Sequence, residues 1–305
     1  MASRRSAPGS PRGRSLSRDR VSRLEPATAL DLAEAAARGV APGLVRRFNA
    51  PAEHVETKTS SDDLVSDADR ESEQAIVAMI WAARPDDTIE SEEGFGGPGP
   101  GQAPSTVRWY VDPLDGTTNY LTGCPHWSIA IGCGDEQGLL AGVVYDPIRD
   151  ELFRASRGGG AWLGGRRLAV RATADPAAAV LTTGFSYDAA QRTRHATAVG
   201  KLIGRIRDVR RLGSAALDLA WVAAGRLDGY FEGASGGLDS AAGVLLVREA
   251  GGLVGHYAGL RDDLPAIVAA PPALYPRLLA LLRDAGAVGE QPWPTPLDLV
   301  APAPR

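Results

Sequence analysis

The chain has 305 residues, 44% of them hydrophobic and 23% charged, with a net charge of −4. That is material for a sizeable core, in about two ordinary domains or one two-lobed unit. No apolar run approaches the roughly 18 residues of a membrane helix, and two cysteines, Cys124 and Cys133, make neither a disulfide framework nor a zinc site, which fits a reducing cytoplasm.

Residues 1–24 carry seven arginines against one aspartate among Ser, Gly and Pro. Such a segment cannot pack a core and is expected to be disordered. It lacks the apolar stretch of a secretory signal. A basic tail can touch nucleic acid or an acidic surface, although most such tails do nothing specific.

From Pro26 the pattern turns helical, with Thr28 as a cap and Leu30, Leu32, Ala33, Ala36 and Ala37 at helical spacing. Gly39, Pro42 and Gly43 are expected to kink or interrupt this helix before Leu44. After the polar stretch containing Lys58, Ser66 can cap a second helix reaching Ala83. Asp69 lies in its first turn, where an acid commonly complements the helix dipole. Asp87 to Glu90 reads as a strand end, followed by Ser91-Glu92-Glu93-Gly94 and a Gly/Pro-rich loop to Gly101 that is expected to be mobile.

Trp109 to Tyr120, WYVDPLDGTTNY, is the organising stretch. Trp109-Tyr110-Val111 reads as the end of a buried strand. Asp112 and Asp115 follow, Gly116 permits a tight turn, and Thr117-Thr118-Asn119 can open a helix. Carboxylate oxygens suit a hard cation such as Mg²⁺, and helix N-terminal amides suit phosphate. D-P-x-D-G is also simply a good turn sequence.

Trp127–Cys133, Leu139–Tyr145 and Glu151–Ser156 read as strands joined by short turns, an antiparallel meander ending at Gly158-Gly159-Gly160. The first lobe is therefore two helices on a largely antiparallel sheet. The second lobe begins near Ala172. It reads as a strand at Val180–Gly184, a helix at Arg194–Ile206, and a strand at Asp208 running into the helix of Gly213-Ser214-Ala215-Ala216, which ends at Gly225. A strand at Leu227–Glu232 precedes Asp239, whose simplest role is that of an N-cap. A last strand near Ala266–Ala270 and a helix at Ala273–Asp284 close the lobe, and a Pro-rich end starts at Pro292. The expected organisation is a basic tail (1–24), an N-terminal α+β lobe (25–171), a C-terminal α/β lobe (172–291) and a Pro-rich tail (292–305).

DPLDGTTNY, together with LDSAAG at 238–243 and SEEG at 91–94, resembles the inositol monophosphatase family of Mg²⁺-dependent, lithium-sensitive phosphatases, over about Leu30 to Leu282. The resemblance implies an α/β fold, a layered αβαβα sandwich, and a homodimer. It implies two to three Mg²⁺ ions held by Glu92, Asp112, the Leu114 carbonyl, Asp115 and Asp239. Asp69 and Thr117, with Glu92, would position and activate the attacking water. Gly116 and Thr117 would offer amides to phosphate, and Ala215 a backbone contact. Asp239 would also touch the substrate, and Glu232 would bond a sugar hydroxyl. Lys58 matches a family lysine. The chain departs from the family at Leu238, where tryptophan is usual, which bears on pocket shape and not on ligation. The Gly/Pro-rich loop beside Glu92 would loosen the third metal position.

The implied activity is hydrolysis of a small phosphorylated polyol, inositol 1-phosphate first. Histidinol phosphate, a sugar bisphosphate and a phosphorylated adenine nucleotide are the alternatives. A regulatory RNA- or protein-binding role on a phosphatase scaffold is the alternative from another class.

Overall fold

A computed structural model describes residues 24–48, 55–57, 64–233, 237–259 and 265–292. The basic segment 1–23, Lys58 and the end beyond Pro292 lie outside the described residues. Leu24, grouped above with the tail, is buried in the first core.

Helix α1 (Pro26–Phe48) runs unbroken through Pro42, against expectation. Its buried residues Ala29, Ala33, Ala36, Ala37, Val40, Ala41, Leu44 and Phe48 form one continuous stripe. An internal proline costs about 3 kcal/mol. Keeping Leu44 and Phe48 in the core recovers roughly 1.5–3 kcal/mol each, which favours continuity. The strands β1 (Val55–Thr57) and β2 (Leu64–Ser66) form a small antiparallel pair that leads into α2 (Asp67–Ala83). The buried face of α2 carries Asp69, Ser72, Glu73, Ile76, Val77 and Ile80. Two acids at i and i+4 on a buried helix face have to be held by something.

The first sheet has seven strands in chain order: β3 (Thr88–Ser91), β4 (Arg108–Asp115), β5 (Ser128–Asp135), β6 (Gly138–Asp146), β7 (Glu151–Ser156), β8 (Gly160–Leu163) and β9 (Arg166–Arg167). Only β3 and β4 pair in parallel. The meander does not stop at the glycines. Gly158 and Gly160 adopt positive φ, and the Glu249 carboxylate accepts from their amides at 2.9 and 2.8 Å, so the segment is a turn into β8. The Gly94–Gly101 loop is also fastened: Gly97 and Ile89 exchange backbone bonds at 2.7 and 2.9 Å, and Gly101 N donates to Pro85 O at 2.8 Å. Between β4 and β5 lies the short helix α3 (Thr117–Leu121).

The second sheet contains β10 (Val180–Thr183), β11 (Asp208–Arg210), β12 (Gly229–Glu232), β13 (Leu253–Ala258) and β14 (Pro265–Ala270), in the order β11-β10-β12-β14-β13. Its helices are α4 (Ala189–Leu202), α5 (Ala215–Ala223), α6 (Gly237–Glu249) and α7 (Tyr275–Ala285). Helix α4 starts five residues before Arg194, because Asp188 caps it through Gln191 N at 2.8 Å. β13 was not expected: Gly255 and His256 interrupt its apolar pattern, and its pairing with β14 supplies the order.

The layers follow from what each face buries. α1 and α2 cover one face of the first sheet. α5 and α6 fill the space between the sheets. α4 and α7 cover the far face of the second sheet. This is the expected αβαβα sandwich. Helix α6 lies close against the first sheet because Gly132 and Gly142 face Ala241 and Ala242; a Cβ on Gly142 would sit 2.9 Å from Ala242 Cα.

Candidate functional site

The site begins where β4 loses its register. Asp112 pairs with Ala130 and Asp115 with Ser128, so β4 carries one extra residue. Pro113 has no N–H for the ladder, which suits it to a bulge. In a regular strand Asp112 and Asp115 would face opposite ways; the extra residue brings them to one side. Gly116 then takes φ 98, ψ 37, a left-handed conformation, and leads into α3. A Cβ there would lie 3.1 Å from Gly213 O and 3.2 Å from His126 O, so the second lobe meets the turn closely.

Thr117 Oγ1 lies 3.2 Å from Asp69 Oδ1 and 3.1 Å from Leu114 O, and can donate to either. This joins the two residues expected to handle the attacking water. Asp112 Oδ1 accepts from Leu114 N at 3.0 Å. Asp115 is held from the other lobe. Its Oδ2 accepts from Ser214 Oγ at 2.5 Å and Ala216 N at 2.8 Å, and its Oδ1 from Ala215 N at 3.2 Å. The Ala215 amide, expected to meet substrate, thus meets Asp115 here. Asn119 Nδ2 bridges the lobes, donating to His126 O at 2.7 Å and to Leu212 O at 2.8 Å.

Asp239 stands inside the first turn of α6, not at its cap. Its Oδ1 is buried and has no hydrogen-bond partner. Glu92 follows β3, and its amide donates to Val111 O at 3.2 Å, beside Asp112. Glu232 ends β12 and accepts from the Tyr230 hydroxyl.

Electrostatics tie these acids together. Burial, then Glu92, Asp115 and Asp239, hold the Asp112 carboxyl well above the usual range. Asp115 is pushed up to about 6 by burial, with Ser214, Ala216 and Ala215 pulling the other way and Glu92 adding repulsion. Burial, Asp115, Glu232 and Glu92 raise Asp239. Glu232 is raised to about 7 by burial, against the Tyr230 bond and Arg211. Glu232 and Asp239 keep part of their surface open to solvent, yet dense packing around the carboxyls still disfavours their charge.

Among the described residues, no three His, Cys, Asp or Glu side chains are already closed into a metal shell. The donor set is nonetheless that of a hard divalent cation. All the groups are oxygens, they repel one another, and one buried carboxylate oxygen, Asp239 Oδ1, lacks a partner. Asp112, Asp115, Asp239 and Glu92 are the residues that would hold it.

Other residues at the site escaped the sequence reading: Ser214 and Ser128 around Asp115, Tyr230 behind Glu232, and Glu73. Glu73 accepts from Ser91 Oγ at 2.6 Å, Glu93 N at 2.5 Å and Phe95 N at 2.8 Å. The one available signal was its i+4 spacing from Asp69 on α2.

The class the fold defines is a layered α/β sandwich whose two lobes meet at Asp115. The family model described as the inositol monophosphatase family matches residues 25–287, and the chain belongs to that family. The Nus factor SuhB of Escherichia coli strain K12 is 41% identical over 258 residues, covering 84% of this chain and 96% of that protein. The crystal structure of the extragenic suppressor protein suhB from Bartonella henselae superposes with a TM-score of 0.76 at 36% identity, covering 83% and 97% of the two chains. The IMPase of Thermotoga maritima gives 0.74 at 29% identity, covering 84% and 97%.

Proposed function

We propose that the protein is a Mg²⁺-dependent phosphate monoesterase acting on a small phosphorylated polyol, with inositol 1-phosphate as the leading substrate. The observation that carries this reading is the buried Asp239 Oδ1, which has no hydrogen-bond partner and lies among carboxylates that burial first, and one another next, hold above their usual range. Bound cations supply charge neutralisation for the phosphate oxygens, a more acidic water and stabilisation of the departing alkoxide. The chain's own part is positioning and proton handling. Thr117 Oγ1 can accept a hydrogen bond from water while donating to Asp69, so a proton leaving the water has an acceptor path through the pair. The α5 N-terminus fixes Asp115, and Glu232 stands on the leaving-group side. No residue is cast as a covalent nucleophile.

The test is phosphate release with Mg²⁺ from inositol 1-phosphate, histidinol phosphate, fructose 1,6-bisphosphate and 3′-phosphoadenosine 5′-phosphate. Inositol 1-phosphate is expected to lead in kcat/KM. Asp239→Asn is expected to lose orders of magnitude in kcat with the fold intact, and LiCl to inhibit where KCl does not. No Mg²⁺-dependent release from any of the four overturns the reading.

A second reading, regulatory binding on the same scaffold, is favoured by the name Nus factor borne by a relative 41% identical to this chain. Binding to RNA or a protein partner that survives Asp239→Asn would separate it from catalysis.

A further inference from the structure

Glu73 lies one helical turn beyond Asp69 on α2, on the same buried face. Its side chain is fully enclosed. Both carboxylate oxygens are engaged by the segment that carries Glu92. Oε1 accepts from Ser91 Oγ at 2.6 Å and from Phe95 N at 2.8 Å; Oε2 accepts from Glu93 N at 2.5 Å. Ser91 Oγ accepts in turn from Gly96 N at 2.8 Å. The residues immediately before and after Glu92 are therefore held by one carboxylate. The Glu92 amide itself donates a hydrogen bond to Val111 O at 3.2 Å, next to Asp112.

We propose that Glu73 is a positioning residue for cation binding: it fixes the backbone on both sides of Glu92 so that the Glu92 carboxylate meets Asp112. The inference rests on the reading of Glu92 and Asp112 as cation ligands. A carboxylate suits the place because all its neighbours there are donors: one hydroxyl and two backbone amides. A glutamine would turn an NH₂ group toward at least one of them. A buried acid also costs free energy unless fully bonded, and Glu73 is satisfied only while the 91–95 segment keeps its conformation. Helix α2 thereby serves both parts of the site, Asp69 toward Thr117 and Glu73 toward Glu92.

The experiment compares the full chain with Glu73→Gln. Mn²⁺ binding is read by electron paramagnetic resonance of the free ion, and the Mg²⁺ requirement by phosphate release. Mn²⁺ affinity is expected to weaken by about tenfold to a hundredfold, the usual range for losing an outer support of a ligand. The Mg²⁺ half-saturation should rise in step, with kcat recovered at high Mg²⁺, and amide exchange at 91–97 should quicken without metal. Unchanged Mn²⁺ affinity beside a lowered Tm overturns the inference and leaves Glu73 a loop fastener. Should Glu73→Gln fail to fold, Ser91→Ala removes one donor only; a smaller weakening supports the inference and none overturns it. A wild type that binds no Mn²⁺ defeats the inference together with the cation-site reading. A wild type that binds Mn²⁺ but hydrolyses no ester defeats the proposed activity alone, and the Mn²⁺ comparison still decides the role of Glu73.

Discussion

Ser214 Oγ donates to Asp115 Oδ2 at 2.5 Å across 99 residues of chain, which fastens the second lobe to the organising turn of the first. The same hydroxyl accepts from Leu217 N at 3.3 Å as the N-cap of α5, so one side chain both starts the helix and aims its amides at Asp115. Ser214→Ala removes a cap worth about 1 kcal/mol and a bond to a charged group worth roughly 1.5–3 kcal/mol. The expected result is a lowered Tm together with at least a tenfold fall in kcat/KM. Ser128→Ala is the comparison. Its hydroxyl stands 3.5 Å from Asp115 Oδ2, and the loss there should be smaller on both measures. Equal losses in the two variants would show that the α5 cap is not what holds Asp115.

The close seating of α6 gives a second prediction. A methyl group on Gly142 would meet Ala242 Cα at 2.9 Å and Ala242 O at 3.0 Å, both backbone atoms that cannot move without the helix. Overpacking of this kind costs about 1–3 kcal/mol, so Gly142→Ala should lower Tm by roughly 2–8 °C. Gly200→Ala, in α4 with open space around it, should instead hold or raise Tm, by up to ~1 kcal/mol of stability. Differential scanning calorimetry on the two variants checks the pair.

The turn at Gly116–Thr117 was legible because its chemistry is local: a buried strand, a glycine that turns left-handed, then a helix start; the strand itself runs past its expected end at Val111 to Asp115, through a bulge the sequence did not announce. The gathering of Glu92 and Asp239 around it was legible only through motif resemblance, since no local rule joins positions that far apart. Pro42 and the flanking glycines misled because local propensity lost to the buried stripe that runs the length of this 23-residue helix. β13 escaped because its order comes from β14, not from its own pattern. Glu73 drew no reading from the sequence, because the donors that define it lie 18 to 22 residues away on another element.

His195 gives a pH prediction. Its ring is buried between Phe185 and Phe231, with Nε2 at 2.8 Å from Thr183 Oγ1, and burial lowers its pKa to about 4. The unfolded imidazole titrates near 6.5. Below that pH the unfolded chain takes up a proton that the native state refuses, so stability falls from about pH 6.5 to about pH 4. Near pH 5 the loss is roughly 2 kcal/mol. Burial and Arg149 lower His126 to about 4 as well, which adds a similar loss. The raised carboxyls of Asp115 and Glu232 act oppositely, gaining stability as pH falls. The difference between wild type and His195→Gln isolates His195. Urea melts at pH 7.5 and pH 5.0 should show the variant losing about 2 kcal/mol less than wild type. Parallel losses would mean that the ring charges in the folded state.

The last prediction concerns the proposed role of Glu232 as the substrate-side acid. It accepts from the Tyr230 hydroxyl, and its carboxyl takes up the space that a side chain at Gly184 would need, since a Cβ there would lie 2.5 Å from its carboxyl carbon. Its other lone pairs can accept from ring hydroxyls of a polyol, and such bonds favour the charged form that burial disfavours. A site built for that bond rejects substrates that lack the hydroxyl. Glu232→Gln keeps the shape but weakens the charge-assisted bond by roughly 1–2 kcal/mol. Inositol 1-phosphate should lose about tenfold in kcat/KM, while p-nitrophenyl phosphate, with no ring hydroxyls, should lose little. The Mg²⁺ requirement should stay where it was, because Glu232 is not among the proposed ligands. Equal losses on the two substrates, or a raised Mg²⁺ requirement, would move Glu232 from the substrate to the cation side of the site.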